Sequence, residues 1–405
     1  MTDTPPTVQI KSGAFWRLLP QGMRRRWWLF RPFDWLARHL AWPVKRQGLV
    51  VIRMDGIGDM VLFRNSLEHY AEAFGIAPED ITVVGCASWQ AIADEVFSGF
   101  RVICIDEHAY ARRPLYRFRV NLRVRRLAPA VTAVDAYFRR ALMADSLAWV
   151  AKAPRTVVAL PYINEPTRAE YTWYMSQGWE VIDTGPYPRH EVVRHAAFVA
   201  AVAGREIVPA PPRITWPARA VQLDTPAPFA VLNPGSNEFG RRWPLADYVE
   251  LARWLRGRGL QVVFVGKADE TADGRTGSSL IDTLDDDDGV LDMTGKSTLP
   301  QLLDLMRDAD LVVSNDTGPA HVGIGLGTPT VVIVGGGHFG SFVPYPKGVA
   351  PDHARFVHER MDCYHCFWRC HKRTDPKASF PCVAAVSMDK VQAACSDLLK
   401  TESAT

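Results

Sequence analysis

No apolar run in this sequence approaches the ~20 residues that a bilayer-crossing helix needs. The start has no hydrophobic stretch leading to a small-residue cleavage site, so no secretory signal and a cytoplasmic protein are expected. Net charge is nearly absent: 47 Lys and Arg against 44 Asp and Glu leave +3. The first glycine turn lacks the Gly-x-Gly-x-x-Gly spacing of dinucleotide sites, and the later glycine loops lack a Walker lysine. No recognised RNA- or DNA-binding motif accompanies the arginines, so nucleic acid is not an expected partner. Cysteine is scarce, seven in 405 residues, yet four of the seven fall between residues 363 and 382.

What is present is an apolar content of 47%, with strand-like runs alternating with helical stretches. That pattern predicts an α/β protein of two domains plus additions. A proline-rich stretch, 209–228, marks the domain boundary. The expected layout is a basic aromatic segment 1–47, an N-terminal domain 48–210, a C-terminal domain 211–350 and a cysteine-bearing segment 351–405. The run Asp285–Asp288 reads as a solvated acidic turn.

Charge is unevenly spread. Residues 1–46 carry nine Lys/Arg against two acids, with five of the thirteen Trp. Met23–Trp42 mixes Arg with Trp, Phe and Leu, the composition of a helix lying in an anionic membrane interface. The alternative is a helix that packs its aromatics on the N-terminal domain and leaves its arginines in water. Arg112–Arg126 holds seven arginines and no acid. It would either bind an acidic glycolipid or form a solvated helix face.

Three segments carry the chemistry. In residues 310–346 an apolar run leads into Asn315-Asp316-Thr317-Gly318-Pro319, then a small-residue helix with His321, then a second run ending in Gly335-Gly336-Gly337. This strand–loop–helix–strand unit suits an anion: Gly318 permits close backbone approach, Thr317 offers a hydroxyl, and the helix start offers N–H groups and a positive dipole end. In residues 49–63 a strand-like run meets Asp55-Gly56-Ile57-Gly58-Asp59, placing two carboxylates at a strand's C-terminal end, where open α/β sheets bind ligands. Asp59 either caps the following helix or acts as a base. In residues 229–270 a strand is followed by Pro234-Gly235-Ser236-Asn237, then Arg241 and Arg242 before Trp243-Pro244. Ser236, Asn237 and a guanidinium at a strand end form a phosphate cradle.

Taken together, these segments resemble glycosyltransferase family 9, the ADP-heptose:lipopolysaccharide heptosyltransferases and relatives. The carriers are Asp55–Asp59, Pro234-Gly235 with Arg241 two before Trp243, Asp316–His321, Gly327–Pro329 and Phe342–Tyr345. The resemblance implies a GT-B fold with two Rossmann-like domains facing a cleft, the acceptor on the first and the nucleotide sugar on the second. It implies metal-independent, inverting transfer in one displacement, with Asp59 as base. Ser236, Asn237, Arg241, Thr317, Gly318, Pro319 and His321 would surround the donor, Asp316 would contact its sugar, and Asp269 or Glu270 its ribose. In GT-B enzymes the final helix, here about Ser387–Lys400, commonly packs back on the N-terminal domain. Two departures stand out. Arg241 replaces the family's usual Lys, and Gly335-Gly336-Gly337-His338 replaces a Gly-Pro-Thr, which removes a hydroxyl and adds a titratable ring.

The expected function is transfer of a heptose-like sugar, from ADP-heptose or a similar nucleotide diphosphate, to a lipopolysaccharide-core or related glycolipid at the inner face of the cytoplasmic membrane. A protein acceptor is the alternative. Readings of another class are a metal-thiolate redox protein and a non-catalytic nucleotide-sugar binding module.

Cys363, Cys366, Cys370 and Cys382 contain a chelating Cys-x-x-Cys and two further thiols within twenty residues, a set suited to structural zinc or iron in a reducing compartment. Free thiols are the other reading, and His365 and His371 are possible substitute ligands. Some members of the family that modify autotransporter proteins carry an iron-binding cysteine cluster. Catalysis needs no cofactor on this reading. Cys86, Cys104 and Cys395 read as buried thiols.

Overall fold

The computed structural model describes residues 27–40, 45–164, 167–219, 228–268, 284 and 289–402. Asp269, Glu270, Asp285–Asp288 and residues 1–26 lie outside the described residues. The strands are β1 (Leu49–Arg53), β2 (Ile81–Cys86), β3 (Arg101–Ile105), β4 (Val131–Val134), β5 (Arg155–Ala159), β6 (Glu180–Ile182), β7 (Phe229–Asn233), β8 (Gln261–Phe264), β9 (Val290–Asp292), β10 (Leu311–Asn315), β11 (Thr330–Val334) and β12 (Ala354–His358). The helices needed below are α1 (Trp27–His39), α2 (Ile57–Arg64), α3 (Pro114–Arg126), α4 (Ala144–Ala151), α5 (Glu191–Ala203), α6 (Leu245–Arg256), α7 (Gly318–Leu326) and α8 (Met388–Glu402).

The chain forms two compact units. The first takes residues from Met1–Gly56, Ser66–Tyr187 and Val193–Pro209; the second takes Ile57–Asn65, Pro188–Val192 and Ala210–Thr405. Helix α2, which follows the first glycine turn, is thus grouped with the second unit. Residues beyond 350 also share that unit's core, through Val357, Phe380, Val383 and Val386.

Each unit is built on a six-stranded, all-parallel sheet, ordered β3-β2-β1-β4-β5-β6 in the first and β12-β11-β10-β7-β8-β9 in the second. The central strands LVVIR, FAVLN, LVVSN and TVVIV are buried at every position. That explains their unbroken apolar runs, because a parallel sheet covered on both faces has no solvent side to alternate toward. In each order the strands after the first and fourth βα crossovers diverge from a switch point, and the loops at that point carry Asp55 and the Pro234–Ser236 turn.

In the first unit, α1 packs on α3 and α4. Its Asp34 is buried and accepts from Arg117 Nε and Nη2 at 2.7 Å each, from Asn121 Nδ2 at 2.6 Å and from Ser146 Oγ at 2.7 Å. Phe30 and Ala37 are buried on the same face, while Leu29, Phe33, Leu36 and Leu40, a stripe at helical spacing, stay exposed. Arg117 and Arg125 of the arginine-rich α3 are buried and structural, so only part of that charge faces water.

Val391, Cys395 and Leu398 of α8, at spacings of four and three, are buried in the second unit's own core, with α8 against β10, β11 and β12. Cys86 and Cys395 are buried, whereas Cys104 is partly exposed.

Candidate active site

The site lies within the second unit, at the C-terminal ends of β7 and β10. Asn315, the last residue of β10, staples the two loops: its Nδ2 donates to Pro234 O (2.7 Å) and Gly235 O (3.3 Å), and its Oδ1 accepts from Trp243 N (3.0 Å) and Tyr248 Oη (3.2 Å). Asn233 at the end of β7 donates to Ser314 Oγ (3.0 Å) and Thr317 Oγ1 (3.3 Å). Ser236 is buried and its carbonyl accepts from both Arg242 Nε (3.1 Å) and Nη2 (2.8 Å), so Arg242 shapes the loop. Asn237 Oδ1 accepts from Lys267 Nζ at 2.7 Å, which brings a cation that the sequence reading passed over.

Arg241 ends a short 3-10 turn, Phe239–Arg241. It donates from Nη2 to the Asp316 carbonyl, lies 3.4 Å from Asp316 Oδ1, and stacks its guanidinium 4.5 Å from the centre of the Trp368 ring. Its Nε is buried and has no hydrogen-bond partner among the described residues. Burial pushes the Asp316 carboxyl up; Arg241 opposes that and the charge of Asp59 adds to it.

That influence of Asp59 follows from helix packing. Gly58 and Gly318, at the starts of α2 and α7, let the two helices touch. A Cβ on Gly58 would stand 2.8 Å from His321 Cδ2, and one on Gly318 would stand 3.3 Å from Ile57 Cβ. Asp59 in the first turn of α2 is therefore brought to the loop that holds Asp316, Thr317, Gly318 and Pro319. Thr317 is the residue before α7, with an extended backbone, and its Oγ1 donates to Asn315 O at 3.2 Å.

His321 sits beneath this junction. It is buried, bonded through Nδ1 to Tyr345 Oη (2.9 Å) and stacked on that ring. Burial, with smaller contributions from His190 and Arg241, lowers its pKa to about 3, so the ring is neutral beside the Asp316–Pro319 loop. His190 meets Tyr345 edge-on, with ring centres 4.7 Å apart, and bonds the Phe342 carbonyl through Nε2 at 2.7 Å. Nothing in the local sequence around His190 or Tyr345 signals this partnership, since it joins residues more than 100 apart.

The glycosyltransferase family 9 (heptosyltransferase) profile matches residues 164–367, half of the chain. The chain belongs to that family. It is 32% identical over 117 residues to lipopolysaccharide heptosyltransferase 2 of Salmonella typhimurium, a match spanning 28% of this chain and 32% of that protein's length. Among solved structures it is similar to the E. coli ADP-heptose lipopolysaccharide heptosyltransferase II (TM-score 0.62, 18% identity, 88% of this chain and all of that one). It is also similar to TibC of enterotoxigenic E. coli H10407, an iron-containing dodecameric glycosyltransferase (TM-score 0.56, 16% identity, 89% of this chain and 78% of that one). The two-sheet α/β fold is thus of the GT-B type.

In this family 9 chain the cysteine segment is built onto the loops that follow β7 and β11. His365 N donates to Gly336 O (2.7 Å), Phe367 N to Gly337 O (2.9 Å), and Gly336 N to Cys382 Sγ (3.4 Å). A Cβ on Gly336 would enter the Tyr364 ring and one on Gly337 the Trp368 ring, so the triple glycine is the space those rings fill. Phe380 N donates to Gly240 O at 2.6 Å, and Arg373 pairs with Glu238 at 3.0 Å. His338 is driven to a pKa of about 4 by burial, then by Arg241 and His365. Burial raises Cys366 and Cys382; Cys363, Cys370 and Cys382 raise Cys366 further, and Cys363 and Cys370 raise Cys382. No three His, Cys, Asp or Glu side chains stand in ligating arrangement among the described residues. His365, Phe367 and Trp368 all have left-handed backbones (φ 69°, 54° and 60°), a conformation that costs non-glycine residues energy and persists only where surroundings enforce it.

Proposed function

We propose that this chain is an inverting glycosyltransferase that moves a heptose-like sugar from a nucleotide diphosphate, ADP-heptose, to a lipopolysaccharide-core or related glycolipid. The observation that carries the reading is the approach of α2 to α7 through Gly58 and Gly318, which sets the Asp59 carboxylate beside the loop of Asp316 and Thr317. An acceptor hydroxyl is a poor nucleophile, and Asp59 would take its proton as it attacks the anomeric carbon. Negative charge then grows on the departing diphosphate, where Arg241, the start of α7 and the Pro234–Asn237 loop would meet it. Ser236 serves by placing backbone, Asn237 by holding Lys267, and His321 by supporting Gly58 without adding charge. Residues 48–210 would hold the acceptor and 211–350 the donor, with Glu270 assigned to the ribose.

Asp59→Asn tests this. Transfer measured as diphosphate release with ADP-heptose should fall about 100- to 10,000-fold while ADP affinity holds. A variant with most of its turnover would remove Asp59 as base.

The four thiols are near enough to influence one another electrostatically, and a backbone amide donates to Cys382; they do not stand in ligating arrangement, so a metal would have to draw them together. Cys363, Cys366, Cys370 and Cys382 would hold iron or zinc as a closed structural site that gives rigidity and takes no part in transfer. The iron in TibC favours iron, and leaves a protein acceptor as the second reading. Peripheral binding to an anionic membrane would use the exposed face of α1 together with Arg119, Arg123 and Arg126.

A further inference from the structure

Three partly exposed rings stand together at the C-terminal ends of β4, β5 and β6 in the first unit. Phe138 follows β4, Tyr162 follows β5 and Tyr187 follows β6. Ring centres are 5.4 Å apart for Phe138 and Tyr162, 5.9 Å for Phe138 and Tyr187, and 6.1 Å for Tyr162 and Tyr187. The rings are not stacked flat: Phe138 and Tyr187 meet at 82°. A fourth ring, Tyr137, is buried beneath them.

The supports under this cluster are unusually costly. Arg194 of α5 is fully buried, yet its guanidinium is directed to the loop that carries Tyr187, donating to Gly185 O (2.6 Å), Pro186 O (2.9 Å) and Thr184 Oγ1 (3.3 Å). Its other side lies 3.6 Å from the centre of the Tyr137 ring. Arg139 does the same for the segment carrying Phe138. It pairs with buried Asp145 through Nε (2.9 Å) and Nη2 (3.0 Å) and donates from Nη1 to Ala136 O (2.6 Å) and Ala159 O (2.8 Å). Tyr162 N in turn donates to Tyr137 O at 2.9 Å. Buried guanidiniums carry a large desolvation cost, and a core of aromatics would pack without them. Fixed, half-open rings at the carboxyl ends of parallel strands are instead what a ligand site needs.

We propose that Phe138, Tyr162 and Tyr187 form a saccharide-binding platform that seats a sugar ring of the acceptor. The face of an aromatic ring is electronegative, and it attracts the weakly positive C–H face of a pyranose. The Tyr187 hydroxyl can then bond a sugar hydroxyl, whereas the Tyr162 hydroxyl is buried. Arg139 and Arg194 are positioning residues that fix the rings. This rests on the glycosyltransferase reading for the word acceptor, but not for the binding itself.

The test is saturation-transfer NMR and titration of the full chain with deacylated, lipid-free core oligosaccharide from lipopolysaccharide, with and without enzymatic dephosphorylation. Both samples should bind, with strongest transfer to sugar ring C–H protons. Phe138→Leu and Tyr187→Leu, which keep bulk and discard the ring, should each weaken binding about three- to tenfold. Melting behaviour and ADP affinity should match the unsubstituted chain. Equal binding by the leucine variants, no binding by the unsubstituted chain, or binding that requires the phosphates would each overturn the platform. Loss of ADP binding with oligosaccharide binding intact would instead count against the donor site and leave the platform standing.

Discussion

Replacing Arg241 with alanine removes the one guanidinium that the structure places between Asp316 and the Trp368 ring. Its buried Nε has no partner among the described residues, and the proposed diphosphate would give it one. A hydrogen bond to a charged group is worth about 1.5–3 kcal/mol, so ADP should bind about 10- to 150-fold more weakly. The side chain is 24% exposed, which places the outcome toward the lower end and makes it salt-sensitive. Arg241→Lys should recover only part of the loss. A lysine restores the charge but neither the fork nor the stacking on Trp368, and that stacking contributes about 0.5–1 kcal/mol at a partly exposed site. Titration calorimetry with ADP at low and high salt measures all three proteins. Affinity for ADP unchanged in Arg241→Ala would show that the diphosphate is held elsewhere, and full recovery by lysine would refute the role given to Trp368.

Three further outcomes are expected. Anaerobically purified protein should carry about one metal per chain by elemental analysis, and Cys363→Ser with Cys366→Ser should lose it together with ADP affinity; absence of metal with four readily titrated thiols would reject the site. His321, with its pKa lowered to about 3, refuses a proton that the unfolded chain accepts near its ordinary value, so its contribution to stability is present above that value and lost as pH falls toward 3. Urea unfolding across this window should steepen by about 1.4 kcal/mol per pH unit from this group, and His321→Gln should flatten the slope. Asp34→Ala strands buried Arg117 without its carboxylate and should destabilise the first unit by about 3–5 kcal/mol, read from its thermal or urea transition; wild-type melting would mean that α1 is held by its apolar contacts alone.

The strands that frame the site were legible because parallel, doubly covered strands are written as unbroken apolar runs, and the turns at Asp55–Asp59 and Asp316–Pro319 stood out as glycine breaks at their ends. What the sequence hid was pairing at a distance. Trp368 reaches Arg241 across more than 120 residues, and Lys267 reaches Asn237 across 30. Neither is marked by local periodicity. The arginine-rich stretch misled for a related reason: charge count says nothing about which guanidiniums are buried, and Arg117 and Arg125 turned inward to meet Asp34 and the end of α1. The final helix carries a buried stripe of Val391, Cys395 and Leu398 at helical spacing, which seats that face in the second unit's core.

The cysteine segment has a direct consequence for the proposed donor site. A disturbance carried through α8 alone would shift domains and leave donor binding near normal. The segment also holds the loops after β7 and β11, through Phe380 on Gly240, Arg373 on Glu238, Trp368 on Arg241, and the backbones of His365 and Phe367 on Gly336 and Gly337. Three of those residues hold left-handed backbones that a free loop would abandon. A structural metal at the four thiols would supply the constraint that keeps them there. Its removal is therefore expected first as weaker ADP binding, with Arg241 released from Trp368, and only secondarily as a change in the rest of the fold.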